Sequence, residues 1–215
     1  LTASGGIGNV KYLISGSYLT STAAVKNVDF KRYNIRSNVN MNFTKDFSGF
    51  INMEYNQGRN ERFSYWNDGV GFSIDPDLGS ICGRTLYYLP NAKPMTADGK
   101  LINPGWIGNL VGFIEQGGTE TQIRRNYNML FGLTYKVPFV SGLSISGKIS
   151  PSYINSTVHQ LDKKVTIYDV AKLGSNGAIY TDSVIGTEKS AYPTKEKYAQ
   201  SQELTSNYQL DFSAS

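Results

Sequence analysis

Residues 33–44 read YNIRSNVNMNFT, and the fold prediction rests first on this segment. Its odd positions carry Tyr, Ile, Ser, Val, Met and Phe, whereas its even positions carry four asparagines, an arginine and a threonine. Alternation with a period of two places the two sets on opposite faces of a β-strand, whereas a helix would scatter them around its axis. The stretch therefore predicts a strand with one apolar and one polar face.

The length of this strand suits a membrane. Tyr33 and Phe43 are ten residues apart, which corresponds to roughly 34 Å of strand. A strand tilted by about 40° would rise about 25 Å, the height of the lipid-facing band of an outer-membrane barrel with aromatic residues at both rims. The aromatic ends of the stretch thus predict a strand that spans a bilayer.

The same alternation recurs along the chain and predicts six strands, near residues 10–20, 33–44, 49–56, 123–137, 143–157 and 198–214. Short turns join the second strand to the third and the fourth to the fifth, whereas long loops occupy residues 57–122 and 159–197. Alternating short and long connections are typical of membrane barrels. We predict an all-β fold, an antiparallel up-and-down transmembrane β-barrel segment of about six strands with long extracellular loops. Residues 1–215 form one partial barrel domain.

Composition excludes several other classes of protein. No stretch approaches the roughly 20 apolar residues that a spanning helix requires. The net charge is +4, and the basic residues are spread along the chain, which argues against a nucleic-acid partner. The chain starts without a methionine or a secretion signal and stops within an alternating run, so we expect an internal segment of a longer protein.

Enzyme chemistry has little material in this sequence. His159 is the single histidine and Cys82 the single cysteine, so histidine-based metal clusters, His-assisted triads and an internal disulfide are not predicted. We predict a protein that is not an enzyme, with no catalytic residues, no cofactor and no metal site. Asp75 and Asp77 leave calcium binding in the long loop open.

Aromatic residues of the first long loop are the predicted substrate-binding residues. An aromatic ring can stack on a sugar while neighbouring amides and carboxylates bond to its hydroxyl groups. The alternative is that these rings pack the loop against itself or against a partner lipoprotein. The residues are Tyr65, Trp66, Asn67, Asp68, Tyr87, Tyr88 and Trp106.

Polar residues of two predicted strands are expected to line a water-filled lumen. They share the face opposite to the apolar side chains. A structural contact with a plug domain is the alternative to a contact with the transported substrate. The predicted lumen residues are Arg36, Asn38, Asn40, Arg124 and Asn126.

Two of these strands carry a family resemblance. YLISGSYL at 12–19 and FKRYNIRSN at 30–38 resemble the early barrel of SusC/RagA-type TonB-dependent outer-membrane transporters of the Bacteroidetes. In that family an aromatic-rich SGSY strand precedes an F-x-R-Y-N-x-R-x-N strand. The resemblance spans nearly the whole chain, and later pieces fit it in the same order, namely Pro94-Met95, Asp98-Gly99, Asn103-Pro104, Val137-Pro138-Phe139 and Gly142-Leu143.

The resemblance implies a barrel of about 22 strands, closed by a plug and energised through TonB. It also implies a SusD-like surface lipoprotein that helps to capture glycans or peptides. This chain would supply about six strands in the bacterial outer membrane, in contact with lipid. The plug and the segment that contacts TonB have no recognisable counterpart in these residues.

The sequence thus predicts part of an outer-membrane importer of oligosaccharides or peptides. One alternative is a soluble secreted β-sandwich that binds carbohydrate, and another is a surface adhesin. The environment of the apolar face separates barrel from sandwich, because a barrel places that face in lipid and a sandwich buries it against a second sheet.

Overall fold

The computed structural model describes residues 1–64, 93–103, 109–173, 179–184, 189–190 and 194–214. The described strands, in chain order, are β1 (Thr2–Ile7), β2 (Val10–Thr22), β3 (Asp29–Asn42), β4 (Phe47–Phe63), β5 (Gly118–Lys136), β6 (Leu143–Asp162), β7 (Thr166–Ile167), β8 (Val170–Leu173), β9 (Ile179–Val184), β10 (Lys189–Ser190) and β11 (Lys195–Ala214). The described helix is α1 (Leu110–Gln116), and none in this part of the chain has the length and apolarity to cross a membrane.

Seven strands form one antiparallel sheet in the order β1-β2-β3-β4-β5-β6-β11. Each pairs with its neighbour along the chain, so the sheet is an up-and-down meander. Two small antiparallel pairs, β7 with β10 and β8 with β9, accompany it. The predicted all-β antiparallel fold is therefore confirmed. The sheet is open, because β1 and β11 are its two edges.

The connections separate into two ends of the sheet. Short connections at 8–9, 43–46 and 137–142 lie at one end, which we call the turn end. The strand ends that precede and follow residues 23–28, 64–117 and 163–194 lie at the other end, which we call the loop end. An antiparallel meander forces this separation, because successive strands reverse direction.

The strand boundaries differ from the predicted ones mainly at the loop end. β4 continues to Phe63 and β5 begins at Gly118, inside the predicted loop 57–122, and β6 and β11 likewise extend into the predicted loop 159–197. Both faces are polar there, so the alternation vanishes from the sequence. The backbone ladder nevertheless continues, for example between Arg62 and Glu120.

Strand β1 was not predicted at all. Its sequence, TASGGI, has no alternation. It forms because it pairs with β2 from Thr2↔Ser15 to Ile7↔Val10. Helix α1 was likewise hidden in a predicted loop, and β3 begins at Asp29 and ends at Asn42, so that Phe43 and Thr44 belong to the turn.

One face of the sheet carries an apolar band. Its side chains stand in rows across the strands, and a central row consists of Tyr12, Val39, Ile51, Phe131, Ile149 and Tyr208. No second layer of described residues covers the band, since Ile14, Ile35 and Leu133 are each about half exposed.

Aromatic ladders bound the apolar band at both ends. At the loop end, the ring centroids of Tyr55 and Tyr127 lie 4.8 Å apart, and those of Tyr127 and Tyr153 lie 5.9 Å apart. In the next row towards the loop end, the ring centroids of Tyr18 and Tyr33 lie 4.9 Å apart. We call these five residues the tyrosine ladder. At the turn end, the second ladder consists of Phe43, Phe47 and Tyr135, with ring centroids 5.0 and 6.5 Å apart.

The main buried cluster lies in the long connections and not on the face of the sheet. Helix α1 packs there against the end of β4 and the segment after β6. Val25, Val28 and Ile114 border this loop-end core, and its members are Phe63, Leu101, Leu110, Phe113, Val165 and Ile167. The described parts of the long connections therefore form a compact layer at one end of the sheet.

Candidate functional site

The face opposite to the apolar band carries a cross-strand ladder of amides. Ser17, Asn34, Asn56 and Asn126 stand opposite one another on β2 to β5. Asn34 Nδ2 donates to Ser17 Oγ at 2.9 Å, and Asn56 Nδ2 donates to Asn34 Oδ1 at 2.7 Å. The ladder arises because every second residue of these strands points to this face. It gives four strands a continuous polar surface.

An ion pair lies in the adjacent row towards the turn end. Arg36 donates to Glu54 Oε1 from Nε at 3.2 Å and from Nη2 at 2.9 Å. In the same row, Ser152 Oγ donates to Asn128 Oδ1 at 2.7 Å. Both charges of the pair remain partly exposed to solvent, so they are available to a ligand as well as to each other.

Two further arginines lie in the adjacent row towards the loop end. Arg32 and Arg124 flank Gly58, which stands opposite both. A Cβ at position 58 would meet the Phe30 ring at 3.5 Å, so this ring lies over the glycine between the two arginines. Arg124 Nε also donates to Asn126 Oδ1 at 3.4 Å. The amide ladder is therefore bordered by arginines on both sides.

We call this surface the polar wall. Next to β1 it forms a cleft of about 480 Å³ whose lining includes Arg32, Asn34, Arg36, Glu54 and Asn56. Amides, hydroxyls and a guanidinium–carboxylate pair offer both hydrogen-bond donors and acceptors. The cleft thus has the chemistry to bind hydroxyl or amide groups of a ligand.

The structure places all five predicted lumen residues on this face. Arg36, Arg124 and Asn126 belong to the polar wall as described above. Asn38 stands between Leu13 and Asn52, and Asn40 stands opposite Lys11 and Phe50. The register brings these residues onto one surface; that this surface lines a lumen stays a prediction.

Sequence reasoning missed several members of the polar wall. The sequence pattern does not single out Arg32, Asn34, Glu54 or Asn56 as site residues. The signal that identifies them is the strand register. The short turn at 43–46 aligns Arg36 with Glu54 and Asn34 with Asn56, which a hairpin of that length would have suggested.

The predicted substrate-binding residues of the long loop lie outside the described residues; they are Tyr65, Trp66, Asn67, Asp68, Tyr87, Tyr88 and Trp106. Cys82, Asp75 and Asp77 lie outside them as well. His159, expected in a loop, lies within β6, and its Nε2 is 2.7 Å from Glu196 Oε1 on β11.

A buried asparagine organises the loop-end core. Asn109 Nδ2 donates to the carbonyls of Pro94 at 2.6 Å and Ile102 at 2.8 Å, while its Oδ1 accepts from Gly112 N at 2.9 Å. Asn109 is thus the N-cap of α1 and joins the helix to the segment 93–103. Asn109 is fully buried, so these bonds satisfy polar groups that water cannot reach.

A charged turn lies at the surface of the same end. The Thr96 hydroxyl donates to Asp98, and Lys100 Nζ lies 3.0 Å from Asp98 Oδ2. The hydrogen bond from Thr96, followed by that from Lys100, lowers the pKa of Asp98, and the Asp98 carboxylate raises the pKa of Lys100. Across the described ranges, no group of three or more His, Cys, Asp or Glu side chains is placed to hold a metal ion.

No family model matches this chain, and no curated protein matches it either. Membership of the SusC/RagA-type transporters therefore stays a prediction from the sequence.

Proposed function

We propose that this chain is a wall segment of a TonB-dependent importer in the bacterial outer membrane. One observation carries the proposal: an apolar band lies between two aromatic ladders on one face of the sheet, and the polar wall lies on the other. Aromatic girdles at both interfaces and a polar interior are features of outer-membrane barrels. The band would face lipid and the polar wall would face the lumen.

The exposed band supports a lipid environment. Ile35 and Leu133 are each about half exposed. Transfer of their side chains from water into lipid would be favourable by about 25 cal/mol for every Å² of apolar surface removed from water. A water-soluble protein rarely leaves such a wide apolar face uncovered. Lipid chains would cover this face and leave the opposite face hydrated.

The open edges of the sheet require neighbours in such an environment. Unpaired backbone N–H and C=O groups in hydrocarbon each cost several kcal/mol, so strands that span a membrane form closed barrels. β1 and β11 each have one unpaired edge in this sheet. We propose that further strands pair with both edges and close the barrel. TonB would act through parts of such a barrel that lie outside this sheet.

The polar wall supplies the proposed contact with the substrate. Its amides and hydroxyls suit the hydroxyl groups of an oligosaccharide, and the same groups suit the backbone of a peptide. The long connections would face outwards, where a SusD-like lipoprotein delivers the substrate. Oligosaccharide and peptide therefore both remain substrate classes of the proposal.

The orientation of the two faces can be tested with spin labels on neighbouring residues of β3. In a Cys82→Ser background, Ile35→Cys and Asn34→Cys would each carry a nitroxide, in the intact protein reconstituted in lipid vesicles. We expect the label at position 35 to be relaxed by oxygen, which partitions into lipid, and the label at 34 by a water-soluble nickel complex. Protection of position 35 from both reagents would indicate a second protein layer, as in a β-sandwich, and would refute the membrane proposal.

Import is a separate measurement. Cells with and without the protein would be supplied with labelled oligosaccharides or labelled peptides. Uptake of one class that depends on the protein and on TonB would support the importer. A correctly oriented barrel without any dependent uptake would instead favour a surface adhesin or another structural role.

A further inference from the structure

On the proposed lipid-facing side, basic and acidic side chains beyond the tyrosine ladder lie at different distances from the apolar band. Arg125 stands in the same row as Tyr33, and in the next row towards the loop end Lys31 stands directly opposite Arg59. One row further, Asp29 stands directly opposite Glu61. Basic side chains therefore lie nearest the apolar band, and acidic side chains lie farther from it.

This arrangement places like charges opposite each other, whereas sheets favour opposite charges at such positions. Like charges that stand directly opposite each other on neighbouring strands are destabilising, whereas opposite charges stabilise. Exchanging the signs on one strand would have produced two favourable cross-strand pairs. Arg59 forms an ion pair with Glu61 on its own strand, whereas Lys31 has no ion-pair partner among the described residues. An external anion beside Lys31 and Arg59 would balance their positive charges.

We propose that Lys31, Arg59 and Arg125, which we call the basic cluster, bind the phosphate groups of anionic membrane lipids. The inference rests on the proposed function, because it requires the apolar band to lie in a bilayer. Interfacial tyrosines sit at the level of the lipid headgroups, so side chains beside and just beyond them meet the phosphates. A guanidinium binds phosphate through paired hydrogen bonds, and a lysine contributes a point charge.

The three residues are close enough to act together. Lys31 and Arg59 are directly opposite each other, and Arg125 is the diagonal neighbour of Arg59 across the β4–β5 pair, a separation of about 7–8 Å between backbones. The Arg125 guanidinium donates to Asn155 Oδ1 at 3.3 Å, which holds it along the surface of the sheet. The basic cluster thus spans three adjacent strands.

The chain offers a matched control for this proposal. Arg32 directly follows Lys31 on β3, and Arg124 directly precedes Arg125 on β5. The side chains of Arg32 and Arg124 belong to the polar wall, on the opposite face of the sheet. The variant pair K31Q/R125Q therefore removes two positive charges from the lipid-facing side, and R32Q/R124Q removes two charges at the same height from the other side. Arg59 is left unchanged because its ion pair with Glu61 would be broken as well.

The measurement is retention of phosphatidylglycerol against phosphatidylcholine by the intact protein, released from mixed vesicles and analysed by native mass spectrometry. We expect the unmodified protein and R32Q/R124Q to retain phosphatidylglycerol preferentially. In K31Q/R125Q the preference should fall by about fivefold for each side chain removed, and salt should weaken it in the unmodified protein.

Equal retention by K31Q/R125Q and R32Q/R124Q would overturn the proposal. Inorganic phosphate binding that depends on Lys31 and Arg125, without a preference for phosphatidylglycerol, would overturn it too, since the site would then serve a free anion. Failure of the unmodified protein to insert into vesicles of phosphatidylcholine alone would instead refute the proposed function itself.

Discussion

Arg36 and Glu54 face each other across β3 and β4, and two nitrogens of one guanidinium converge on a single carboxylate oxygen at 3.2 and 2.9 Å. The side chains are 63% and 34% exposed, so water screens the attraction between them. The pair therefore holds the geometry of the polar wall more than it stabilises the fold.

A double-mutant cycle on this pair tests that conclusion. Arg36→Gln, Glu54→Gln and the double variant should give a coupling energy of at most about 1 kcal/mol, because exposed ion pairs contribute little. Denaturant unfolding of the four proteins in the same detergent measures it. A coupling of several kcal/mol would mean that the pair is buried in the assembled protein.

A charge placed in the apolar band should be costly, and the same charge on the polar wall should not. Val39 lies in the central row of the band, whereas the preceding Asn38 faces the other way. Val39→Arg should destabilise the inserted protein by about 2–4 kcal/mol, while Asn38→Arg should fold almost as well as the parent. Urea titrations of folding into vesicles give both values, and equal penalties for the two variants would contradict the assigned faces.

Gly132 allows the ring of Phe50 to lie over β5. A Cβ at position 132 would overlap this ring, whereas a Cβ at Gly147 would find its nearest neighbour, Leu210 Cδ1, at 3.9 Å. Gly132→Ala should lower the free energy of unfolding by about 1–3 kcal/mol through overpacking, and Gly147→Ala should be neutral or slightly stabilising. Adding Phe50→Ala to Gly132→Ala should relieve the overlap, so a penalty that persists in the double variant would point to another cause.

The loop-end core should depend on Asn109 more than the sheet does. Asn109→Ala removes three hydrogen bonds and leaves the Ile102 carbonyl and the Gly112 N–H without this partner. The Pro94 carbonyl still accepts from Ile102 N at 3.0 Å. A loss of about 2–4 kcal/mol in the free energy of unfolding is expected, from the lost N-cap together with one unsatisfied buried carbonyl. Asn109→Asp keeps the acceptor for Gly112 N but loses both N–H donors. We therefore expect this variant to lower the free energy of unfolding as well.

Hydrogen exchange locates this effect. Amides of α1 should exchange faster in both variants, while those of β3 and β4 keep their protection. Loss of protection across the whole sheet would show that the two regions unfold as one unit.

The turn at residues 96–100 should loosen in acid. The folded-state pKa of Asp98 is lowered, so its ionised form stabilises the turn above the ordinary pKa of about 3.9. That contribution is lost as the pH falls through the lowered pKa. Exchange of the Lys100 amide, which donates to Thr96 Oγ1 at 3.0 Å, reports the change. Asp98→Asn should abolish the pH step; a step that survives would belong to another group.

Sequence alternation predicted the strands only where one face is apolar. Around Val39 the alternation is strict, and the strand, its faces and its antiparallel neighbours followed from it. Near Arg62 and Glu120 both faces are polar, so the strands continue without a visible pattern. β1 is a stronger example, because its glycine-rich sequence becomes a strand only through the ladder that β2 provides.

For the candidate site, too, the sequence predicted some relationships between residues and not others. That Arg36, Asn38 and Asn40 share a face was predictable, since side chains of a strand alternate. That Arg36 meets Glu54, or that Lys31 meets Arg59, depends on the register of two strands. A shift of one residue would have exchanged the faces of the neighbouring strand.

The amino-acid pattern alone indicates the fold class, the side of each strand that is apolar and the end of the sheet at which successive strands are joined. These properties are local, because they depend on period-two alternation and on reversals of the chain. Strand pairing and packing establish which residues stand opposite one another, how the two aromatic ladders run across the strands, and that Asn109 joins α1 to segment 93–103. Those relationships depend on hydrogen bonds and packing between residues far apart in the sequence, whose energies no single stretch contains.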